Sequence, residues 1–197
     1  ERAIRMAGWC KPDSAVNPGL WLGALLGGMA LGGHDKLTFI LSPQIRAFGA
    51  WAEQLIAEST GKQGRGIVPV DGDAQHNGEP VAFKSGAITL SEDRLFVAML
   101  MPGDEANGRL VAALKKAKRP VIELGLTDLY DLGGEFFRWQ FATAVAGSVL
   151  GVDPFDEPNV SESKANTKRL LDQYEALWRG RIDRMTDLIA ATKETRP

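Results

Sequence analysis

The fold class can be inferred from residues 37–70, which read LTFILSPQIRAFGAWAEQLIAESTGKQGRGIVPV. Residues 37–41 form a short apolar run with the composition of a β-strand. Ser42 stands where it would cap a helix that starts directly after it and ends near Thr60, with apolar side chains at helical spacing. A second strand is predicted at 66–70. A strand, a helix and a strand in this order are typical of a parallel sheet.

The same alternation continues to the end of the chain. Strands are predicted at 95–101 and 120–124, and helices at 18–31, 105–118, 132–150 and from about 159 onward. Residues 71–92 are rich in glycine, aspartate and asparagine, which predicts a surface loop. We therefore expect an α/β three-layer sandwich with a mainly parallel sheet, formed by residues 1–180, and a charged helical extension at 181–197.

The composition narrows the class of protein. The net charge is −2, so no basic excess favours nucleic acid or an anionic membrane as a partner. The single cysteine, Cys10, is typical of a reducing cytosol, so we expect a cytoplasmic protein. His34 and His76 lie far apart without a ligand motif around them, so no metal site is predicted. Residues 14–33 carry no charge, but their helical part is shorter than the roughly 20 residues that cross a bilayer.

Two places could carry chemistry. Gln54, Glu58 and Lys62 follow each other at four-residue spacing, which predicts one stripe on a helix. That stripe is either a solvent-exposed Glu–Lys pair or a carboxylate near the ligand crevice at the carboxyl ends of the strands. Lys164 lies in the first turns of the last helix, where the helix dipole disfavours a cation. It is either a solvated side chain or a group directed at an oxygen-rich ligand.

Two segments of the chain resemble a known family. Residues 54–62, QLIAESTGK, resemble the Q-x-x-x-E-S-x-G-K segment of phosphoglucose isomerases. Residues 151–160, GVDPFDEPNV, together with Lys164, resemble the N-P-F-D-Q-P-x-V…K segment of bacterial members, in the same order. With GEFFRW at 134–139, the chain is most similar to the isomerase portion of fused transaldolase/phosphoglucose isomerases, over about residues 9–178.

This resemblance implies a fold and an activity. The family has the sugar isomerase (SIS) fold and interconverts glucose 6-phosphate and fructose 6-phosphate through an enediolate. Its catalytic base falls on Glu58, and its substrate-contacting glutamine falls on Gln54. Its lysine for ring opening, or for holding the ring oxygen, falls on Lys164. The resemblance implies no metal and no organic cofactor.

Other parts of the family's active site have no counterpart in this sequence. The phosphate-binding serine/threonine loop and an arginine belong to a preceding SIS domain, and neither histidine matches the ring-opening histidine. We therefore expect this chain to supply one part of the active site of a longer enzyme. Its expected partners are a phosphosugar, a preceding SIS or transaldolase region of the same polypeptide, and further copies in a homo-oligomer. Neither nucleic acid nor a membrane is expected.

Two other functions remain open at this level. The chain could be a non-catalytic SIS module that binds a phosphosugar for regulation, or a structural domain that supports a neighbouring transaldolase and dimerises. The joint presence of Gln54, Glu58 and Lys164 favours the enzyme, because a sensor does not need the base.

Overall fold

The computed structural model describes residues 1–11, 13–14, 16–71, 75–76, 79–80, 83–84, 87–88, 90–156 and 158–194. It falls into two compact units, Glu1–Asp156 and Glu157–Pro197. The division at residue 180 that the sequence suggests stays a prediction. Within the described ranges, each helix is too short or too polar to cross a membrane.

A four-stranded parallel sheet forms the centre of the first unit. The described strands are β1 (Lys36–Leu41), β2 (Val68–Val70), β3 (Gln75–His76), β4 (Glu79–Pro80), β5 (Phe83–Lys84), β6 (Ala87–Ile88), β7 (Arg94–Leu100) and β8 (Val121–Gly125). The order in the sheet is β2-β1-β7-β8, and all three neighbouring pairs are parallel. The predicted surface loop at 71–92 is partly wrong, because β3 pairs with β4 and β5 with β6 in antiparallel fashion. Strands of two residues are too short to leave an alternating apolar pattern in the sequence.

Six α-helices are described: α1 (Arg2–Trp9), α2 (Pro18–Leu31), α3 (Ala47–Thr60), α4 (Glu105–Lys116), α5 (Leu132–Leu150) and α6 (Pro158–Glu194). The predicted bounds of α2 and α5 are confirmed at both ends, and local signals define the start of α2 and the end of α5. The Asn17 side chain accepts a hydrogen bond from the backbone N–H of Leu20 at 2.9 Å, which caps α2. Gly151 ends α5 with a φ of +72°, a backbone conformation that glycine adopts without strain.

Helices cover the sheet on both faces, which confirms the predicted three-layer α/β sandwich. Along β1, Leu37, Phe39 and Leu41 contribute to the core that includes α2, α3 and α5. Ile40 contributes instead to the core shared with α4. This alternation follows from the two-residue period of a strand. The fully buried ring of Trp139 on α5 lies 5.4 Å from that of Phe39 and anchors α5 to the sheet.

Ser42 does not cap a helix as the sequence suggests. A 3₁₀ turn at Pro43–Ile45 follows it, and its side chain makes no capping hydrogen bond. The buried hydroxyl instead donates to Oδ2 of Asp104 at 2.5 Å and accepts from the backbone N–H of Met101 at 2.9 Å. Ser42 therefore ties the end of β1 to the segment after β7, a contact that the local sequence does not reveal.

The direction of the helices decides which edge of the sheet each loop occupies. Because α3 connects β1 to the parallel β2, its last turn lies at the amino ends of the strands. The loop after α5 reaches the same edge, as the contact of Asp156 with Lys62 demonstrates. The last turn of α3 and the loop 151–156 therefore share one edge of the sheet.

Candidate active site

The last two turns of α3 bring together two of the predicted site residues. Gln54 and Glu58 are both exposed, and Nε2 of Gln54 donates a hydrogen bond to Oε1 of Glu58 at 3.2 Å. Four-residue spacing on a helix places such side chains next to each other, as predicted. The result is a solvent-accessible carboxylate held by a neighbouring amide, an arrangement that could accept a proton from a bound molecule.

Lys62 does not continue this stripe, so the predicted exposed Glu–Lys pair is wrong. The helix ends first, with the backbone N–H of Gly61 donating to the carbonyl of Ala57 at 2.9 Å. The Lys62 side chain is only 4% exposed and forms an ion pair with Asp156 at 2.7 Å. Four-residue spacing places side chains on one face only as long as the helix continues, and Gly61 ends it before Lys62.

The predicted position of Glu58 near the carboxyl ends of the strands is also wrong. The loop that follows α3 precedes β2 instead of following a strand, which puts Glu58 at the amino-terminal edge of the sheet. The rule that open α/β sheets bind ligands at the carboxyl ends of their strands therefore gives Glu58 no support. Glu58 instead shares this edge of the sheet with the loop 151–156.

That loop is the second segment of the resemblance, and it contacts the first. Nζ of Lys62 donates to the backbone carbonyl of Asp153 at 2.6 Å, to Oδ1 of Asp156 at 2.7 Å and to the backbone carbonyl of Asp156. The two motifs are far apart in sequence, yet this one ammonium joins them. The contact brings the last turn of α3, with Glu58, beside the loop that leads out of the first unit.

The loop has its own internal support. The side chain of Asp153 accepts a hydrogen bond from the backbone N–H of Phe155 at 2.9 Å, which closes a turn. Pro154 packs over Gly147 of α5, where an added Cβ would lie 3.1 Å from the proline ring. Phe155 is 84% exposed and is left with an apolar ring in solvent at the tip of the loop.

A cavity of about 610 Å³ lies at the same edge of the sheet, beside the turn that follows α3. It is lined by Ala30, Leu31, Asp35, Gly61, Gly64, Arg65, Gly66, Ile67, Val68 and Leu150. The guanidinium of Arg65 crosses to α5 and donates to the backbone carbonyl of Leu150 at 3.0 Å. The turn therefore has two links to the end of α5 and the loop after it, one through Lys62 and one through Arg65.

The remaining predicted group, Lys164, lies in the second unit, where it is exposed near the start of α6. The structure thus joins Gln54 to Glu58, and the role of Lys164 stays a prediction. Of the histidines, His34 shares a hydrogen bond of 3.1 Å with the backbone carbonyl of Glu92, and His76 lies in β3. In the part of the chain that the structure describes, no three His, Cys, Asp or Glu residues are grouped so that they could hold a metal ion.

The sequence did not predict a second buried charged side chain, that of Glu135. Glu135, within the GEFFRW segment, is 4% exposed and pairs with Arg138 at 2.9 Å. Burial raises the pKa of the Glu135 carboxyl, although Arg138 acts in the opposite direction. The sequence contains one signal that would have predicted this pair: a Glu and an Arg lie three residues apart on an otherwise apolar helix.

Three curated proteins that are similar to this chain share one name. Proteins named glucose-6-phosphate isomerase match from Lactobacillus helveticus (29% identity; 68% of this chain, 37% of the relative) and Leptospira interrogans (26%; 82% and 43%). The protein of that name from Symbiobacterium thermophilum is 28% identical, over 86% of this chain and 44% of its own length. The chain thus spans less than half the length of these relatives. They support the phosphoglucose isomerase family, whereas no protein-family model matches the chain.

Comparison with solved structures concerns the fold alone. The crystal structure of a hypothetical protein from Thermus thermophilus is similar, with a TM-score of 0.67 and 21% sequence identity. The similarity covers 86% of this chain and 49% of that one. The α/β architecture described above is therefore shared with an experimentally determined protein.

Proposed function

We propose that this chain carries the base of an aldose–ketose isomerase that interconverts glucose 6-phosphate and fructose 6-phosphate. The observation that carries the proposal is the contact between the two motif segments, made through Lys62 and Asp156 beside the turn that bears Glu58. The relatives named glucose-6-phosphate isomerase support the same reaction. In this proposal the chain supplies one part of an active site, and the rest of a longer protein supplies the other.

The proposed chemistry uses the carboxylate of Glu58 as a general base. It removes the proton from C2 of the open-chain aldose, which leaves an enediolate. A proton then passes from O2 to O1, and Glu58 returns a proton to C1 to give the ketose. Gln54 already donates a hydrogen bond to Glu58, which orients the carboxylate, and its second amide N–H is proposed to contact a substrate oxygen. Donors of this kind stabilise the negative charge that develops on the enediolate oxygens.

The other groups of the reaction are proposed from the resemblance. Lys164 is proposed to assist ring opening or to hold the ring oxygen. The phosphate-binding loop, the arginine and the ring-opening histidine would come from the remainder of the polypeptide or from a second subunit of a homo-oligomer. The resemblance to fused enzymes further suggests a transaldolase region in the same polypeptide and a cytoplasmic location. The proposal requires neither a metal nor an organic cofactor.

Steady-state turnover of glucose 6-phosphate by the full-length protein tests this proposal. Glu58→Gln keeps the size and hydrogen-bonding reach of the side chain but removes the base, so kcat should fall on the order of 10²- to 10⁴-fold. Glu105→Gln is a matched control, because Glu105 is also an exposed helix carboxylate, in the first turn of α4. A wild-type protein that binds fructose 6-phosphate without turning it over would contradict the proposal and favour a sensor.

A further inference from the structure

We propose that Lys62 is a positioning residue for the isomerisation, holding the loop 153–156 against the turn of α3 that carries Glu58. The inference rests on the proposed function and adds to it a residue that would not touch the substrate. It starts from an unusual environment, a lysine side chain that is 4% exposed at the edge of the sheet.

The site around the Lys62 ammonium is complete. An ammonium has three N–H donors, and three oxygens surround this one: the backbone carbonyls of Asp153 and Asp156, and Oδ1 of Asp156. The carboxylate of Asp156 balances the charge of this buried ammonium. No donor is left over for a ligand, so any effect of Lys62 on catalysis must pass through the groups that it holds.

The backbone of Lys62 is tied just as firmly to α3. Its N–H is shared between the carbonyls of Thr60 at 2.9 Å and Arg65 at 3.0 Å. The buried hydroxyl of Thr60 donates to the carbonyl of Ile56 at 2.8 Å and accepts from the N–H of Ile67 at 3.0 Å. Lys62 is thus fixed to the last turn of α3 by its main chain and to the loop 153–156 by its side chain.

This double attachment has a consequence for Glu58. The carboxylate is exposed on the same turn, and its described contact is the single hydrogen bond from Gln54. Its position relative to the loop therefore depends on how firmly turn and loop are joined. A displacement of about 1 Å between reacting groups can cost on the order of 100-fold in rate, so loosening this joint should lower kcat.

Arg65 provides a matched control. It also reaches from the turn after α3 to the end of α5, donating to the carbonyl of Leu150 at 3.0 Å. It differs in being exposed and in contacting the end of the helix instead of the loop 153–156. If Lys62 acted only as one more tether between these elements, Arg65→Met and Lys62→Met would have similar effects.

The experiment compares steady-state kinetics of the full-length wild-type protein with Lys62→Met, Lys62→Arg and Arg65→Met. We expect Lys62→Met to lower kcat on the order of 10- to 100-fold with KM within about twofold, and Arg65→Met to leave both nearly unchanged. Lys62→Arg should have a kcat close to that of Lys62→Met, because a planar guanidinium does not present three N–H groups to the same three oxygens. Wild-type kcat in Lys62→Met, or equal losses in Lys62→Met and Arg65→Met, would overturn the inference.

A double variant separates positioning from general stability. If Lys62 acts through Glu58, adding Lys62→Met to Glu58→Gln should change the residual kcat less than about twofold, whereas independent effects would multiply. Should Lys62→Met fail to fold, Asp156→Ala removes one of the three acceptors and serves in the same double variant. An inactive wild-type protein overturns the proposed function itself. An active wild-type protein, with losses of kcat in Lys62→Met and Glu58→Gln that multiply in the double variant, overturns this inference alone.

Discussion

Nζ of Lys62 lies 2.7 Å from Oδ1 of Asp156, although 94 residues separate the two in sequence. The pair joins the last turn of α3 to the loop that ends the first unit, at the amino-terminal edge of the sheet. The two segments that resemble phosphoglucose isomerases are therefore neighbours in space as well as similar in sequence to that family. This proximity is what links the fold to the proposed chemistry, since Glu58 lies on one of the two joined elements.

The first prediction concerns the strength of this joint. Asp156→Ala removes the carboxylate that pairs with the buried ammonium of Lys62 and leaves two carbonyls as its acceptors among the described residues, so the free energy of unfolding should fall by about 1–3 kcal/mol. Urea denaturation of the full-length protein measures this change. Arg109→Ala is the control, because it breaks an exposed i,i+4 pair with Glu105 that should be worth less than about 0.5 kcal/mol. Equal effects of the two substitutions would contradict the structural account of Lys62.

The second prediction concerns the packing of α2 against α5. A Cβ added to Gly23 would clash with the backbone carbonyl of Ala142 and lie 2.6 Å from Cβ of Val145. Gly23→Ala should therefore push the two helices apart and lower the free energy of unfolding by about 1–3 kcal/mol. Gly28 lies on the same helix with nothing within 4 Å of an added Cβ, so Gly28→Ala should stabilise by up to about 1 kcal/mol. Thermal unfolding of both variants checks the sign, and a stabilising Gly23→Ala would contradict the observed packing.

The third prediction concerns the pH dependence of stability. Burial raises the pKa of Glu135 above its ordinary value of 4.5 in the folded protein, so the folded state binds this proton more tightly than the unfolded state. The contribution of Glu135 to stability is therefore fully present below pH 4.5 and declines as the pH rises through the folded pKa. Glu135→Gln removes this dependence.

Urea denaturation of the wild type and of Glu135→Gln at several pH values from about 4 to about 7 measures this contribution of Glu135 to stability. The stability of the wild type relative to the variant should decrease as the pH rises. Loss of the ion-pair partner of Arg138 shifts the free energy of unfolding of the variant by an offset that we expect to be nearly constant over this range. A relative stability of the wild type that increases with pH would contradict the desolvation of Glu135.

The elements that the sequence predicts well are those defined by local signals. The start of α2 follows from Asn17 and the proline after it, and the end of α5 follows from Gly151, all of which act within one helical turn. The central strands are predicted because continuous apolar runs indicate burial on both faces. Ser42 illustrates the opposite case. Its sequence context suggests a cap, whereas the hydroxyl is used by Asp104, which is 62 residues away.

The candidate site was predictable to the same extent. Helical spacing alone places Gln54 beside Glu58, and the structure has that contact. The role of Lys62 depends on Gly61 ending the helix and on an acceptor in a loop far along the chain, and neither appears in a spacing pattern. The edge of the sheet on which Glu58 lies follows from the connection of β1 through α3 to the parallel β2, so the predicted order of strand, helix and strand already contains it.

We propose that Glu58 moves a proton at C2 of the substrate. The most direct test of this proposal is incorporation of deuterium at C2 of glucose 6-phosphate in D₂O, followed by proton NMR, with the full-length wild type, Glu58→Gln and Glu105→Gln. We predict exchange by the wild type and by Glu105→Gln, and a loss on the order of 10²- to 10⁴-fold in Glu58→Gln. Exchange at the wild-type rate in Glu58→Gln would show that another group is the base and would contradict the account.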